Sequence, residues 1–178
     1  MFKRAMRTLR RHPPGAGLHW LNANIAIGRV QRTDAWSELH VAGVRAVVDI
    51  SEETEGQGDA VREQGMRYLR FCLHGSPLPS AEDLRIISAW VQDRIAEDGP
   101  VFVQDGSARF NDGLVAVASL IRGGLPAHLA LLALRRAVPD GALNREQQGE
   151  LVRFTAALET EAVGEPHVAP LGKGDYAG

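Results

Sequence analysis

The stretch Gly99–Gly113, G-P-V-F-V-Q-D-G-S-A-R-F-N-D-G, decides the fold of this 178-residue chain. Its first part, Pro100–Val103, is a short apolar run, which predicts a buried strand. The stretch leads into the apolar, alanine-rich segment Leu114–Ile121, which predicts a buried helix ending near Gly123 and Gly124. A strand, a tight loop and a buried helix bring loop amides and a helix N-terminus to one point, and this arrangement suits an anion.

The sequence of the loop resembles the signature of cysteine-dependent dual-specificity and tyrosine phosphatases, V-x-V-H-C-x-x-G-x-x-R-S-G. The departures fall on the residues that carry the chemistry of that family. In signature order, the His, the nucleophilic Cys, the loop Gly, the phosphate-binding Arg and the hydroxyl residue are replaced by Gln104, Asp105, Ala108, Asn111 and Asp112. Only Gly113 and the apolar flanking residues match the signature. The resemblance therefore implies the family's fold with its catalytic residues replaced.

Three further segments extend the resemblance over roughly residues 18–158. His19–Gly28 is similar to the family's opening W-I-x-x-N-L-x-x-G, and residues 43–53 are similar to G-V-x-x-V-V-D-L-R-x-E. Residues 130–154 match A-x-x-x-V-R-x-x-R-P-x-x-x-x-x-x-x-Q-x-x-x-L-x-x-F. A long second match of this kind makes a chance similarity in the loop a poor explanation.

The order of elements predicts an α/β domain over residues 18–160, with helices on both faces of a small, largely parallel sheet. Strands are expected at His19–Gly28 (an edge strand with a turn), Val44–Ile50, Met66–Leu73 and Pro100–Val103. Helices are expected at 34–42, in the second part of 52–64 after a loop, from Ser80, at Leu114–Ile121, from Pro126 and from Asn144. Ser80 is expected to cap its helix with Asp83, and Asp34 to cap the first helix. The residues of the Pro126 helix expected to face inward are Leu129, Leu131, Leu132 and Leu134.

The first 17 residues differ in charge from the rest of the chain. They hold five basic residues and no acidic one, so their net charge is +5. Because the whole chain has a net charge of −2, the remaining residues carry −7. Spaced as in a helix, the apolar and basic residues of this arm form two faces: Phe2, Met6 and Leu9 on one, and Lys3, Arg4, Arg7, Arg10 and Arg11 on the other. A membrane-surface anchor, an arm that docks a protein partner, an organellar targeting sequence and a disordered basic tail all fit this pattern. A flexible tail is expected over residues 161–178.

Composition limits the remaining classes of function. The apolar fraction of 44% is that of an ordinary globular protein. A single cysteine, Cys72, excludes an intrachain disulfide and any multi-cysteine metal site, and it suits a reducing compartment. The acidic remainder does not attract nucleic acid by its overall field. We therefore expect no cofactor, no metal and no nucleic acid, and a location in the cytoplasm or on the cytoplasmic face of a membrane, with an organelle as a further option.

The resemblance implies that the parts of the phosphatase mechanism are missing. Asp105 is a weaker nucleophile than a thiolate, and Asn111 cannot form the charged two-pronged contact of an arginine. Matching L-P-V-x-D-x-x-x-P-S to residues 71–80 puts Gly75 at the family's acid and Cys72 at a structural proline. Cys72 is then expected to be a small buried apolar group, and His74 is a weak substitute for the acid.

The loop retains a possible role as a vestigial anion site. Its members are Asp105, Gly106, Ser107, Ala108, Arg109, Phe110, Asn111 and Asp112. The Asp105 carboxylate is expected to accept hydrogen bonds from the loop amides and to fill the cradle from within. Arg109 is either an exposed arginine or a partner for Asp105 or Asp112. Asp105, Asn111 and Asp112 are also hard ligands of the kind that Mg²⁺ prefers.

Taken together, the sequence predicts a pseudophosphatase, which is not an enzyme and serves as an interaction or scaffold module. It would be a subunit of, or an adaptor for, a larger assembly, with the basic arm docking a protein partner or an anionic membrane. The alternative is a phosphate-ester hydrolase that uses Asp105 in place of the missing cysteine and is either metal-dependent or metal-free.

Overall fold

The sheet and its helices follow the expected alternation. The computed structural model describes residues 17–30, 32, 34–50, 57–73, 75–107 and 109–164. Within these ranges the elements are β1 (His19–Trp20), β2 (Ile25–Gly28), α1 (Ala35–Val41), β3 (Ala46–Asp49), α2 (Gln57–Glu63), β4 (Arg67–Arg70), α3 (Ala81–Glu97), β5 (Val101–Gln104), α4 (Asn111–Arg122), α5 (Ala127–Ala137) and α6 (Arg145–Gly164).

The five strands form one sheet in the order β1-β2-β5-β3-β4. β1 pairs antiparallel with β2, and the other neighbouring strands are parallel. β5, from the stretch that opens the sequence analysis, lies at the centre, with Phe102 level with Ala26 on one side and Val47 on the other. The carboxyl ends of the parallel strands meet at one edge, where ligands bind in open α/β sheets. The predicted fold class is confirmed.

Alternate side chains of each strand enter two separate apolar cores. On β5, Val101 and Val103 join the core formed with α3, α4, α5 and α6, whereas Phe102 joins the smaller core under α1 and α2. This alternation is the period-two pattern of a strand buried on both faces. α4 lies deepest, with every residue from Asn111 to Leu120 buried. The loop between β5 and α4 therefore rests on the most constrained part of the molecule.

The helix that begins after Ser80 forms as predicted. The Ser80 hydroxyl accepts a hydrogen bond from the Asp83 amide at 3.2 Å, and the Asp83 carboxylate accepts one from the Ser80 amide at 2.9 Å. The predicted cap of α1 is wrong in detail. Asp34 precedes that helix but makes no capping hydrogen bond through its side chain, and its carboxylate instead forms an ion pair with Arg32.

The expectation that four leucines of α5 face inward is wrong for three of them. Leu134 is buried, but Leu129, Leu131 and Leu132 are 38–40% exposed. A run of leucines at four successive or near-successive positions cannot fit one helix face, because neighbours along a helix are separated by about 100°. α5 therefore keeps an apolar surface outside the core.

Both edges of the sheet are short or charged. β1 has two residues, and β4 carries exposed arginines at its two ends, Arg67 and Arg70. No described helix is long and apolar enough to cross a membrane. α6 continues to Gly164, so the tail predicted to start at residue 161 is helical over its first four positions. The basic arm (Phe2, Lys3, Arg4, Met6, Arg7, Leu9, Arg10 and Arg11) and residues 165–178 lie outside the described residues.

Candidate functional site

Polar residues collect where the central strands end. Asp49, at the end of β3, is fully buried, and its carboxylate accepts a hydrogen bond from the Tyr68 hydroxyl at 2.9 Å. Its register partner on β5 is Gln104, which is 3% exposed and donates to the Gln57 side chain at 2.8 Å. Gln104, in the position of the family's histidine, thus links β5 to α2. Gln104 directly precedes the loop that begins at Asp105.

The Asp105 carboxylate is held inside the loop by the loop's own donors. Its Oδ1 accepts from the Ser107 amide at 2.8 Å, and its Oδ2 accepts from the Ser107 hydroxyl at 2.8 Å and from the Asn111 amide at 3.0 Å. Two of these three donors are amides of the loop, as predicted, and the third is the Ser107 hydroxyl. The side chain is 5% exposed, and the Asn111 amide is the first of α4. A carboxylate therefore occupies the helix N-terminus, where negative charge is favoured.

Asp112 is a second buried carboxyl one helical position further on. It is 8% exposed, and its Oδ1 accepts from the Gly113 amide at 2.9 Å. Burial raises the pKa of Asp112 to about 7; the Gly113 hydrogen bond opposes this rise and the charge of Asp105 adds to it. At neutral pH Asp112 therefore keeps its proton in a large share of the molecules. The loop thus holds a protonated carboxyl next to another buried carboxyl.

Asn111 does not replace the phosphate-binding arginine of the family in function. Its side-chain amide donates to the Pro77 carbonyl at 3.2 Å, and its oxygen accepts from Gln147 of α6 at 3.2 Å. Gln147, which is 1% exposed, also donates to the Arg109 carbonyl at 2.9 Å. Asn111 therefore ties the loop to the segment before α3 and to α6, which fixes the loop in place.

The residue before α4 has a backbone conformation that needs support. Phe110 has a φ of 61°, in the left-handed region. Its ring packs so closely on two glycines that a Cβ at Gly113 or at Gly141 would lie 2.6 Å from a ring carbon. Glycine is thus required at both positions for the ring to fit, and the ring holds the end of the loop against the α5–α6 connection.

A cavity of about 450 Å³ opens beside Asp112. Phe110 and Asp112 line it from the loop, and His19, Arg29 and Arg32 line it from the β1 and β2 side. Arg29 is exposed and forms no ion pair with any described residue. The cavity therefore joins a protonated carboxyl to a cationic wall, which suits a small anionic ligand.

The other predicted loop residues have simpler surroundings. Gly106 is half-buried, and Arg109 is exposed and forms no ion pair with the described residues, so the suggested pairing with Asp105 or Asp112 is wrong. Gly75, at the position of the family's acid, is exposed with a φ of 72°. Cys72 is half-buried rather than buried. Ala108 and His74 lie outside the described residues.

The proposed Mg²⁺ ligand set loses one member. The Asn111 oxygen is taken by Gln147, so Asp105, Asn111 and Asp112 do not offer three free oxygens. Across the described ranges no group of three or more histidine, cysteine, aspartate or glutamate side chains could hold a metal ion. A divalent ion at this loop would need ligands from the substrate.

Three residues contribute to the site without having been predicted from the sequence: Asp49, Gln147 and Arg29. Gln147 was detectable, because N-x-x-Q at Asn144–Gln147 is a capping pattern, and both of its hydrogen bonds form, at 2.9 and 3.0 Å. It also stands at the Q of the pattern matched by residues 130–154, but that match does not indicate that it holds the loop. Asp49 stands at the D of the pattern matched by residues 43–53, and the sequence predicts no role for it or for Arg29. Asp49 comes to the site through strand pairing and Arg29 through its place directly after β2, which the local pattern does not reveal.

Comparison with solved structures identifies the fold. Tk-PTP in its active form superposes with a TM-score of 0.69 at 24% identity, over 79% of this chain and 97% of that one. PTPMT1 in complex with PI(5)P gives 0.72 at 17% identity, over 82% and 98%. Human DUSP28 gives 0.67 at 22% identity, over 84% and 99%. No family model matches the sequence, and no curated protein does. The chain has the fold of dual-specificity and tyrosine phosphatases.

These neighbours contradict the expectation that the chain is not an enzyme. One was solved as Tk-PTP in its active form, and another with PI(5)P bound, so a chain of this fold is not to be taken as a non-enzyme. Loss of the family's cysteine is not loss of all chemistry, because the loop holds two buried carboxyls, Asp105 and Asp112. The protein partner, the membrane contact and the location remain predictions.

Proposed function

We propose that the protein is a phosphate-ester hydrolase in which Asp105 and Asp112 are the reacting groups. One observation carries the proposal: a carboxyl whose pKa is raised to about 7 lies beside a second buried carboxyl at the loop where the fold does its chemistry. A buried carboxyl that holds its proton beside a second carboxyl is a common basis of acid catalysis in one site. Asp105 stands where the family has its nucleophile.

The two carboxyls divide the reaction between them. The Asp105 carboxylate attacks phosphorus and forms an acyl phosphate, while Asp112 gives its proton to the departing ester oxygen. Water then hydrolyses the acyl phosphate, and Asp112 in its ionised form takes a proton from that water. The hydrogen bonds from Ser107 and Asn111 orient the Asp105 carboxylate for this attack.

The cavity beside Asp112 supports a small substrate, but Asp105 does not line it, so the phosphoryl group must extend beyond the cavity lining to meet that carboxylate. Its volume of about 450 Å³ suits a phosphate ester of modest size. Arg29 supplies positive charge that Asn111 cannot, and Arg32 adds to it while paired with Asp34. Among the fold neighbours, PTPMT1 was solved with PI(5)P and a mouse phosphatase with zinc tungstate. Those ligands are the basis for choosing a phosphate ester as the substrate class.

Hydrolysis of an aryl phosphate tests this proposal. We expect turnover by the intact chain, and losses of about 10²- to 10⁴-fold for Asp105→Asn and for Asp112→Asn. Asp93→Asn, which changes an exposed carboxyl of α3, is the matched control and should keep full activity. The assay is run with a chelator and again with Mg²⁺, because a substrate-borne metal ion could assist. Activity should fall as pH rises through about 7, when Asp112 loses its proton.

Two results would overturn the proposal. One is the absence of turnover above that of the buffer in both metal conditions. The other is turnover that Asp105→Asn leaves unchanged, since the activity would then come from elsewhere.

A further inference from the structure

An apolar groove lies between α5 and α6, away from the carboxyl pair. It has a volume of about 570 Å³, and its apolar lining includes Leu131, Leu143, Leu151 and Val152. Leu131 is 38% exposed and Val152 is 70% exposed. Exposed aliphatic side chains that line one concave surface are a typical docking site for an amphipathic helix. No described element of the chain covers this groove.

The chain enters the described structure close to the groove. Gly17 and Val138 line the same cavity, and the His19 ring nitrogen Nδ1 is 3.1 Å from the Ala137 carbonyl. Arg135 and Gly141, which flank that point in sequence, line the groove. The segment that precedes Gly17 is therefore attached beside one end of the groove.

The arm has the length and the pattern to reach and fill the groove. Residues 10–16 contain two prolines and can extend for about 23 Å, while residues 2–9 as a helix would be about 12 Å long. The lining residues of α6 run from Gln148 to Glu159, a helical length of about 17 Å. Phe2, Met6 and Leu9 are spaced by four and three residues, which places them on one helix face.

Charge is compatible with the same placement. Glu159 lines the groove and forms no ion pair with any described residue, while Arg135 is a basic residue of the same lining. The basic residues of the arm lie on the face opposite its apolar residues, so they would point to the rim and to solvent. We propose that residues 2–9 dock as an amphipathic helix in the α5–α6 groove of their own chain. This intramolecular contact is independent of the proposed hydrolysis.

Photocrosslinking of the full chain tests the docking. A photoreactive phenylalanine analogue replaces Phe2, and mass spectrometry locates the crosslinked peptide. We expect crosslinks to α5 and α6. Val152→Glu should lower their yield by about tenfold, because it puts a charge in the apolar groove at a position exposed enough to leave the fold intact. Val41→Glu, which changes a valine of α1 that is 77% exposed, is the matched control and should leave the yield unchanged.

A mixture of isotopically light and heavy chains separates the possible occupants. Crosslinks confined to one isotope label support docking within the chain. Crosslinks between labels would overturn it in favour of a second copy. A third outcome combines two results: the groove yields no crosslink, and the parent chain and the Val152→Glu variant bind phosphatidylserine vesicles equally. That outcome would overturn docking in the groove in favour of binding to a membrane surface.

Discussion

The N-termini of α3 and α4 satisfy their first backbone amides in opposite ways. Both helices must satisfy their first amides. α3 does so with Ser80 and Asp83, which are its own neighbours and lie at the surface. α4 has no side-chain cap at its N-cap residue, Phe110, and its first amide bonds to Asp105, six residues earlier and buried.

The difference separates a stability feature from a functional one. The α3 cap uses residues within one turn, costs little and could occur on any helix. The α4 start buries two carboxyls close together, raises the pKa of Asp112 to about 7, and holds Phe110 in a left-handed conformation. Strain and buried like charges of this kind are typical of functional sites. Three substitutions test whether the two helix starts differ as described.

The largest effect is expected from Asp112→Asn at alkaline pH. An acid whose pKa is raised on folding destabilises the folded state as pH rises from its unfolded pKa of 3.8 to about 7, because the unfolded chain loses the proton first. The difference corresponds to about 4 kcal/mol. Asn carries no charge, so the variant should gain stability over the parent at pH of about 8 and much less at about 5. Urea denaturation at both values measures this gain.

Asp93→Asn is the control, since it changes an exposed carboxyl of α3 and should show no such pH-dependent gain. An equal stability of parent and Asp112→Asn across the whole range would mean that Asp112 is not buried as a carboxyl.

A smaller effect, in this case a loss of folding stability, is expected from Asp105→Ala. The Asn111 amide would lose its acceptor inside a buried helix start, at a cost of about 2 kcal/mol. The exposed Ser107 can bond to water instead. The measurement belongs at about pH 5, where Asp112 is protonated and the loss of the Asp105 charge has least influence. Asp105→Asn keeps an oxygen acceptor and should lose less; an equal loss in both would point to charge rather than hydrogen bonding.

The smallest effect is expected from Ser80→Ala at the α3 cap. Loss of a serine N-cap costs about 1 kcal/mol. Because the cap lies apart from the carboxyl pair, the cost should be the same at acidic and alkaline pH and should leave hydrolysis unchanged. If Ser80→Ala were instead as costly as Asp105→Ala, or changed the rate, the two helix starts would not be distinct in the way proposed.

Local patterns predicted the parts of the molecule that depend on near neighbours. The apolar run at Pro100–Val103, the cap at Ser80 and the turn after Trp20 each rest on a few adjacent residues, and each forms. The leucines of α5 show the limit of that approach. Counting them as apolar predicted burial, but only tertiary packing decides which helix face meets the core.

The candidate site was located by the sequence but not described by it. The loop Asp105–Asp112 followed from the signature, whereas the proton held by Asp112 follows from burial by elements distant in sequence. The contribution of Gln147 depends on α6 packing against the loop 36 residues away. The signature shows which family residues the loop lacks, but it does not show that Asp105 and Asp112 lie buried beside each other.

The edges of the sheet limit how this protein can associate with other copies of itself. A two-residue β1 offers little backbone for another strand, and the charged side chains at both ends of β4 disfavour pairing with another strand there. Growth of the sheet from molecule to molecule, the route to fibrous aggregates, is therefore disfavoured at both ends. Among the described elements the helices are better suited to ordered self-assembly, and Leu129 and Leu132 of α5 are exposed leucines outside the α5–α6 groove where it would begin.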